Sequence, residues 1–215
     1  MILFDLTPTE NHPAYQALQL SNLNRQYDFL RSIVEASIST DRPYLSQTVI
    51  KAFNYHAIVC LHAGAGEFRP CEVTVGQHTP PMWIHVQANM DDFVNTINRA
   101  WDSSDAVTLA SFALWRLNWI HPFVNGNGRT ARITAYYILC LKSGGLLPGT
   151  ELLPELLRRH RHEPNDPYVA ALQAVDASYN AGAVNIKPLH DLVSALLNEQ
   201  LASADEPENA SDETS

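Results

Sequence analysis

The chain has 215 residues, 46% of them hydrophobic, and a formal net charge of −9. That describes an ordinary folded domain with room for a small appendage, and it lacks the basic excess that nucleic-acid binding calls for. No apolar run reaches the roughly 18 residues of a membrane span, and the opening Met1-Ile2-Leu3-Phe4-Asp5-Leu6 has an acid inside its apolar stretch and no basic region, unlike a signal peptide, so a reducing cytoplasm is the expected setting.

The first element is a long amphipathic helix, with Tyr15, Leu18, Leu23, Tyr27, Leu30, Ile33 and Val34 at helical spacing. Ser46 is placed to cap a second helix that buries Val49, Ile50, Phe53, Ala57, Ile58 and Leu61. Residues 63–81 break the pattern with Gly64, Gly66, Gly76, Pro70, Pro80 and Pro81. Within them the short β-prone run Glu72-Val73-Thr74-Val75 predicts a small β-hairpin near 68–76. Val86, Met90, Phe93, Val94, Ile97 and Trp101 mark a third helix. Residues 107–120 are apolar on nearly every side, which belongs at the centre of a bundle. A further helix is expected from near Gly128 to a stop at Gly144-Gly145, followed by helices over 152–159, 168–179 and 189–201.

The expected architecture is therefore all-α: a helical extension over 1–44, the main domain over 45–202 and a solvated, disordered acidic tail over 203–215, where five acids and no base lie among Ser, Ala, Asn and Pro. Cys60, Cys71 and Cys140 match no zinc spacing, and their odd number speaks against a disulfide framework. Cys60 and Cys140 fall in apolar helical runs and are expected as buried free thiols.

The chemistry concentrates in His121-Pro122-Phe123-Val124-Asn125-Gly126-Asn127-Gly128-Arg129-Thr130-Ala131-Arg132. Gly126 and Gly128 let the backbone turn sharply and approach a ligand. The free N–H groups at the start of the next helix favour an anion. Arg129 and Arg132, three apart, share one face of its first turn and suit a polyphosphate. His121 at the loop entrance is placed to accept a proton from an attacking hydroxyl. A lone histidine or a lone Gly-x-Gly would be ordinary structure; the full ordered set is hard to explain as packing.

This run resembles the signature of the Fic family, His-Pro-Phe-x-(Asp/Glu)-Gly-Asn-Gly-Arg-x-x-Arg, at every fixed position but one. The likeness extends over about 45–145 and includes Leu61-His62, Ala65-Gly66-Glu67-Phe68-Arg69 and Pro80-Pro81. It implies a Fic-type helical bundle with a small β-hairpin flap, and a protein adenylyltransferase that moves AMP from ATP to a Ser, Thr or Tyr hydroxyl. His121 would be the general base and Phe123 the loop's anchor. Gly126, Asn127 and Gly128 would form the anion hole, with Arg129 on the β-phosphate and Arg132 on the γ-phosphate. Val73, Thr74, Val75, Gly76, Gln77 and His78 would be the flap that pairs with the target backbone as an added strand.

The departure is Asn125, where the family's Asp or Glu binds Mg2+; Asn keeps an oxygen and loses the charge. Tyr136 and Tyr168 are candidates to line an adenine pocket, and both equally suit the core. No segment matches the family's inhibitory (Ser/Thr)-x-x-x-Glu-(Gly/Asn) helix; Glu10-Asn11, Glu35 and Glu208-Asn209 each fail part of it. A separate antitoxin supplying that helix is the implied alternative to an uninhibited enzyme. Two other readings stand beside AMP transfer: a Doc-like phosphotransferase, which Pro122 and Gly128 disfavour, and a non-catalytic nucleotide-binding module.

Overall fold

The computed structural model describes residues 2–6, 9–40, 44–76, 78–161 and 163–204; Gln77 and most of the expected tail, 205–215, lie outside them. After a single turn, α1 (Leu3–Leu6), the long α2 (Pro13–Ser39) and α3 (Gln47–Ile58) pair closely, then a 3-10 turn (Trp83–His85) leads into α4 (Val86–Arg99). The central α5 (Ala106–Ile120) and α6 (Asn127–Lys142) follow, then α7 (Leu153–Leu156), α8 (Pro167–Asn180) and α9 (Lys187–Ala202). No described helix is long and apolar enough to cross a membrane.

Local chemistry sets these boundaries. Pro13 opens α2, whose N-cap His12 accepts from the Ala14 N–H. Ser46 caps α3 by accepting from Val49 N at 3.2 Å, and Asp105 caps α5 by accepting from Thr108 N at 2.8 Å. Asp166 does the same for α8 through Tyr168 N and Val169 N.

α5 and α6 form the innermost pair, with α2 and α3 against α6 and with α4, α8 and α9 against α5. From Thr130 to Leu141 every residue of α6 is buried. Each fully buried Leu, Ile or Phe in such a core stabilises by about 1.5–3 kcal/mol. α2 is tied in by polar bonds as well: Asn22 Nδ2 donates to Val59 O at 2.9 Å and Gln26 Nε2 to Phe53 O at 2.8 Å. Asn22 thus takes up the C-cap carbonyl of Val59, which the helix itself leaves unpaired, and Gln26 adds a bond to a carbonyl within α3.

Two expectations change. The hairpin is not formed as a ladder: among the described residues there is no β-strand, only isolated antiparallel bridges of Phe68 with Phe123 and of Val75 with His78. The cause is that the segment bonds outward. Arg69 N donates to Pro122 O at 2.8 Å, and the buried Arg69 guanidinium donates to the carbonyls of His121, Cys71 and Pro81. A tight turn at Gly76, with His78 N donating to Val75 O at 2.9 Å, is what remains of the flap. Cys140 is buried as expected, but Cys60 is exposed, since α3 stops at Ile58 and Cys60 sits in a left-handed turn at φ 62°.

Candidate active site

The link from α5 to α6 reverses the chain within six residues. Two left-handed residues make that possible: His121 at φ 50° and Gly126 at φ 77°. At Gly126 only glycine fits, because a Cβ would lie 2.7 Å from Ile58 Cγ2 and 3.1 Å from Asn54 Nδ2. His121 has no such freedom and is strained, as functional residues often are. Arg69 Nε holds it there by donating to its carbonyl at 2.8 Å.

The loop between them is stitched shut. Phe123 is fully buried, with its ring 5.5 Å from that of Phe68. Asn127 Oδ1 accepts from Phe123 N at 2.9 Å and its Nδ2 donates to Phe123 O at 2.8 Å. The side chain assigned to the anion hole thus braces the loop, and what Asn127 offers an anion is its backbone N–H. No side chain among the described residues caps α6, whose N-cap is Gly126, so the N–H groups of its first turn remain open to a ligand.

The His121 imidazole is mostly enclosed. Burial lowers its pKa to about 4; a backbone interaction at Asn118 opposes the shift, and His78 and the positive charge of Arg69 add to it. The ring is therefore neutral at pH 7, the state a base requires. Its Nδ1 is buried and has no hydrogen-bond partner among the described residues.

The two arginines are held differently. Arg129 donates to Ala57 O and to Asn125 Oδ1, each at 3.1 Å. Arg132 is 8% exposed, and its guanidinium makes no hydrogen bond to any described residue. Burial lowers the pKa of both. A buried guanidinium without an acceptor is costly unless an anion arrives.

Asn125 lies between opposite charges: its Oδ1 faces Arg129 and its Nδ2 donates to Glu10 Oε1 at 3.3 Å. Its only side-chain oxygen is thus turned to a cation, and no cluster of three His, Cys, Asp or Glu suited to a metal is present among the described residues. The side chains here do not fit a protein-built Mg2+ site.

A cleft of about 1100 Å3 opens over the loop, lined by His121, Asn125 to Arg129, Arg132 and Tyr168, with Val75, Gly76 and His78 at its rim. His78 is fixed by donating from Nε2 to Trp119 O at 2.9 Å. Val73 and Thr74 do not border the cleft. Tyr168 does, and its hydroxyl accepts from Asn118 Nδ2 at 2.9 Å; burial pushes its pKa up to about 12. Tyr136 does not: its hydroxyl donates to Leu147 O at 3.2 Å and accepts from Gln200 Nε2 at 2.9 Å on the far side of α6. The suggestion that Tyr136 lines the nucleotide pocket is corrected to a core role, because its position on α6 points it at α9.

Sequence reasoning missed Asn54. It is fully buried, donates to Asn125 O at 2.9 Å and Thr130 Oγ1 at 3.2 Å, and accepts from Gly66 N at 3.0 Å. The available signal was a lone amide on the apolar face of α3, since a buried polar group must find partners.

Residues 44–139 match the model of the Fic/DOC family. A 69-residue stretch, 32% of this chain, is 42% identical to "Protein adenylyltransferase Fic" of Drosophila willistoni, and 81 residues are 36% identical to "Protein adenylyltransferase fic-1" of Caenorhabditis briggsae. These matches span 14% and 16% of those relatives' own lengths. Among solved structures, a Fic domain-containing signaling protein from Bacteroides thetaiotaomicron superposes with a TM-score of 0.67 at 22% identity, covering 86% of this chain and 71% of that one. Fic-1 from C. elegans superposes at 0.61 and 22%, over 86% of this chain and 50% of that one. The structures bear on the fold alone.

Proposed function

Taking as premise a chain that carries a Fic-type domain, we propose that it is a protein adenylyltransferase using ATP. The observation that carries this reading is the pairing of a neutral, buried His121 with an uncapped helix start and, beside it, a buried Arg132 that has no hydrogen-bond acceptor among the described residues. The relatives' name, adenylyltransferase, agrees with that chemistry.

In this reading the triphosphate lies along the N-terminus of α6, with Arg129 and Arg132 on its β- and γ-phosphates. A target Ser, Thr or Tyr oxygen attacks the α-phosphorus, and its proton passes to His121. The bond from the α-phosphorus to the bridging oxygen breaks, leaving AMP on the target and releasing pyrophosphate. The chain's contribution is positioning and charge stabilisation. Tyr168 borders the adenine, and the turn of Val75, Gly76 and His78 guides the target backbone to the mouth of the cleft. Mg2+ comes as the counter-ion of the nucleotide. The partner is a hydroxyl-bearing protein in the cytoplasm, and a separate antitoxin is the source of any inhibitory helix, since no carboxylate of this chain pairs with Arg132 among the described residues.

The test is label transfer from ATP in a lysate. Label from the α-phosphate on protein supports AMP transfer. Label from the γ-phosphate would replace it with a Doc-like phosphotransfer, and no transfer of either with ATP still bound would leave a nucleotide-binding module.

A further inference from the structure

A second cavity of about 270 Å3 adjoins the cleft, walled by Gln16, Gln19, Leu20 and Leu23 of α2 and by Arg129, Arg158 and Arg161. Gln19 and these three arginines border the main cleft too, so the two spaces are continuous.

The charge there is one-sided. No carboxylate lines the second cavity among the described residues. Arg158 reaches only Glu155, at 3.5 Å, and Arg129, Arg132 and Arg161 have no carboxylate within ion-pairing distance among the described residues. Arg132 is close enough to feel them: burial is the main cause that lowers its pKa, Tyr168 and Glu155 oppose the shift, and Arg161 and Arg158 add to it. Three guanidinium groups facing one space with no carboxylate in its wall, beside two amide side chains, make a site for a tetrahedral oxyanion. Arg158, Arg161 and the glutamines of α2 all lie outside the stretch 44–139 that matches the family.

We propose that Arg158 and Arg161 form a second anion subsite that receives the terminal phosphate of a 5′-triphosphate and makes the site select a triphosphate over a diphosphate. This rests on the nucleotide reading of the main cleft. With the α-phosphate beside His121 and the phosphate chain running past the start of α6, the far end is the part that meets the second cavity. Arg132 approaches it from α6, and Arg158 and Arg161 from the turns after α7. Both of the latter are exposed, so replacing them leaves the core intact.

Calorimetric titration of the full chain and of the Arg158→Gln/Arg161→Gln variant with ATP, ADP and inorganic triphosphate decides it. The variant is expected to lose about tenfold or more in ATP affinity, as for charged hydrogen bonds lost, while ADP affinity changes less than about threefold. Inorganic triphosphate should weaken in parallel with ATP. Equal losses for ATP and ADP, or no loss, would overturn the proposal. So would a loss confined to inorganic triphosphate, which would assign the cavity to free polyphosphate. If the ATP-over-ADP preference depends on these arginines but no label reaches protein, the transferase reading fails and the subsite stands. Label transfer with an unchanged ATP-over-ADP preference removes the subsite and leaves the transferase reading in place.

Discussion

Arg69 Nε donates to the carbonyl oxygen of His121 at 2.8 Å, so a guanidinium from the loop after α3 fixes the backbone of the residue at the centre of the site. The same group serves Cys71 O and Pro81 O. Arg69→Ala leaves three carbonyls without their donor, at about 1–3 kcal/mol for each that stays buried. We expect a loss of about 3 kcal/mol or more, read as a fall in Tm of roughly 6 °C or more. Arg69→Lys should recover only part of it, because an ammonium cannot span the three acceptors. A Tm for Arg69→Ala within error of wild type would contradict the bracing role.

His121→Ala should lower transfer by about 10²–10⁴-fold, the range for general-base catalysis, while ATP affinity changes little. In wild type, transfer should stay nearly flat from pH 8 to pH 5 and fall as His121 protonates near its pKa of about 4. Stability follows the same group. A histidine with a folded pKa below its unfolded value favours folding above about 6.5, and that contribution is lost as pH falls toward 4. Denaturant titrations should therefore show a steeper acid loss of stability in wild type than in His121→Asn. A rate profile breaking near pH 6.5 would refute the buried, neutral base.

Gly126→Ala brings a left-handed φ of 77° and a methyl 2.7 Å from Ile58 Cγ2. The conformation costs about 1–2 kcal/mol and the overpacking about 1–3 kcal/mol more. Nucleotide affinity should fall with stability, since the same turn aims the N–H groups of α6. Ordinary ATP binding by a destabilised Gly126→Ala protein would separate the turn from the anion site.

Tyr168 and Tyr136 separate site from core. Tyr168→Ala should weaken ATP binding in folded protein, because its ring borders the cleft. Tyr136→Ala should leave the affinity of folded protein unchanged and cost about 3–5 kcal/mol of stability as an aromatic core truncation. Calorimetry beside thermal unfolding reads both, and the reverse pattern would exchange the two roles.

Asn125→Asp puts a carboxylate next to Arg129 and close to Glu10. In magnesium titrations of ATP binding, half-saturation should move to lower magnesium, because the side chain then offers a charged oxygen to a hard cation. An unchanged midpoint would show that position 125 does not face the ion.

Much of this is legible in the sequence. Apolar spacing and the Ser46 cap mark the major helices, because local hydrogen bonds and one buried face decide them. The order of His121, the glycines and the two arginines marks the loop. What stays hidden depends on contacts distant in the chain. The β-prone residues 72–75 read as a hairpin, but Arg69 commits the segment to the α5–α6 loop, 52 positions away for its bond to His121. Tyr136 and Tyr168 look alike in sequence because periodicity does not say which face of α6 meets α9. Asn54 leaves only the faint mark of a lone amide on an apolar helix face, and the arginine wall leaves none, because an exposed Arg carries no pattern of its own.

The bonds from Asn22 and Gln26 to the carbonyls of α3 bear on where the cooperative unit begins. A cut at residue 44, where the family match starts, would strip Tyr15, Leu30 and Val34 from the interior along with those amides, and would open the wall that Gln16 and Gln19 give the second cavity. The region that melts in one step thus reaches back to about Pro13. Hydrogen exchange should find the middle of α2 as slow as α6, opening with it as a single foldon, and a fragment beginning at 45 should be a poorer stand-in for the domain than the matched boundary suggests.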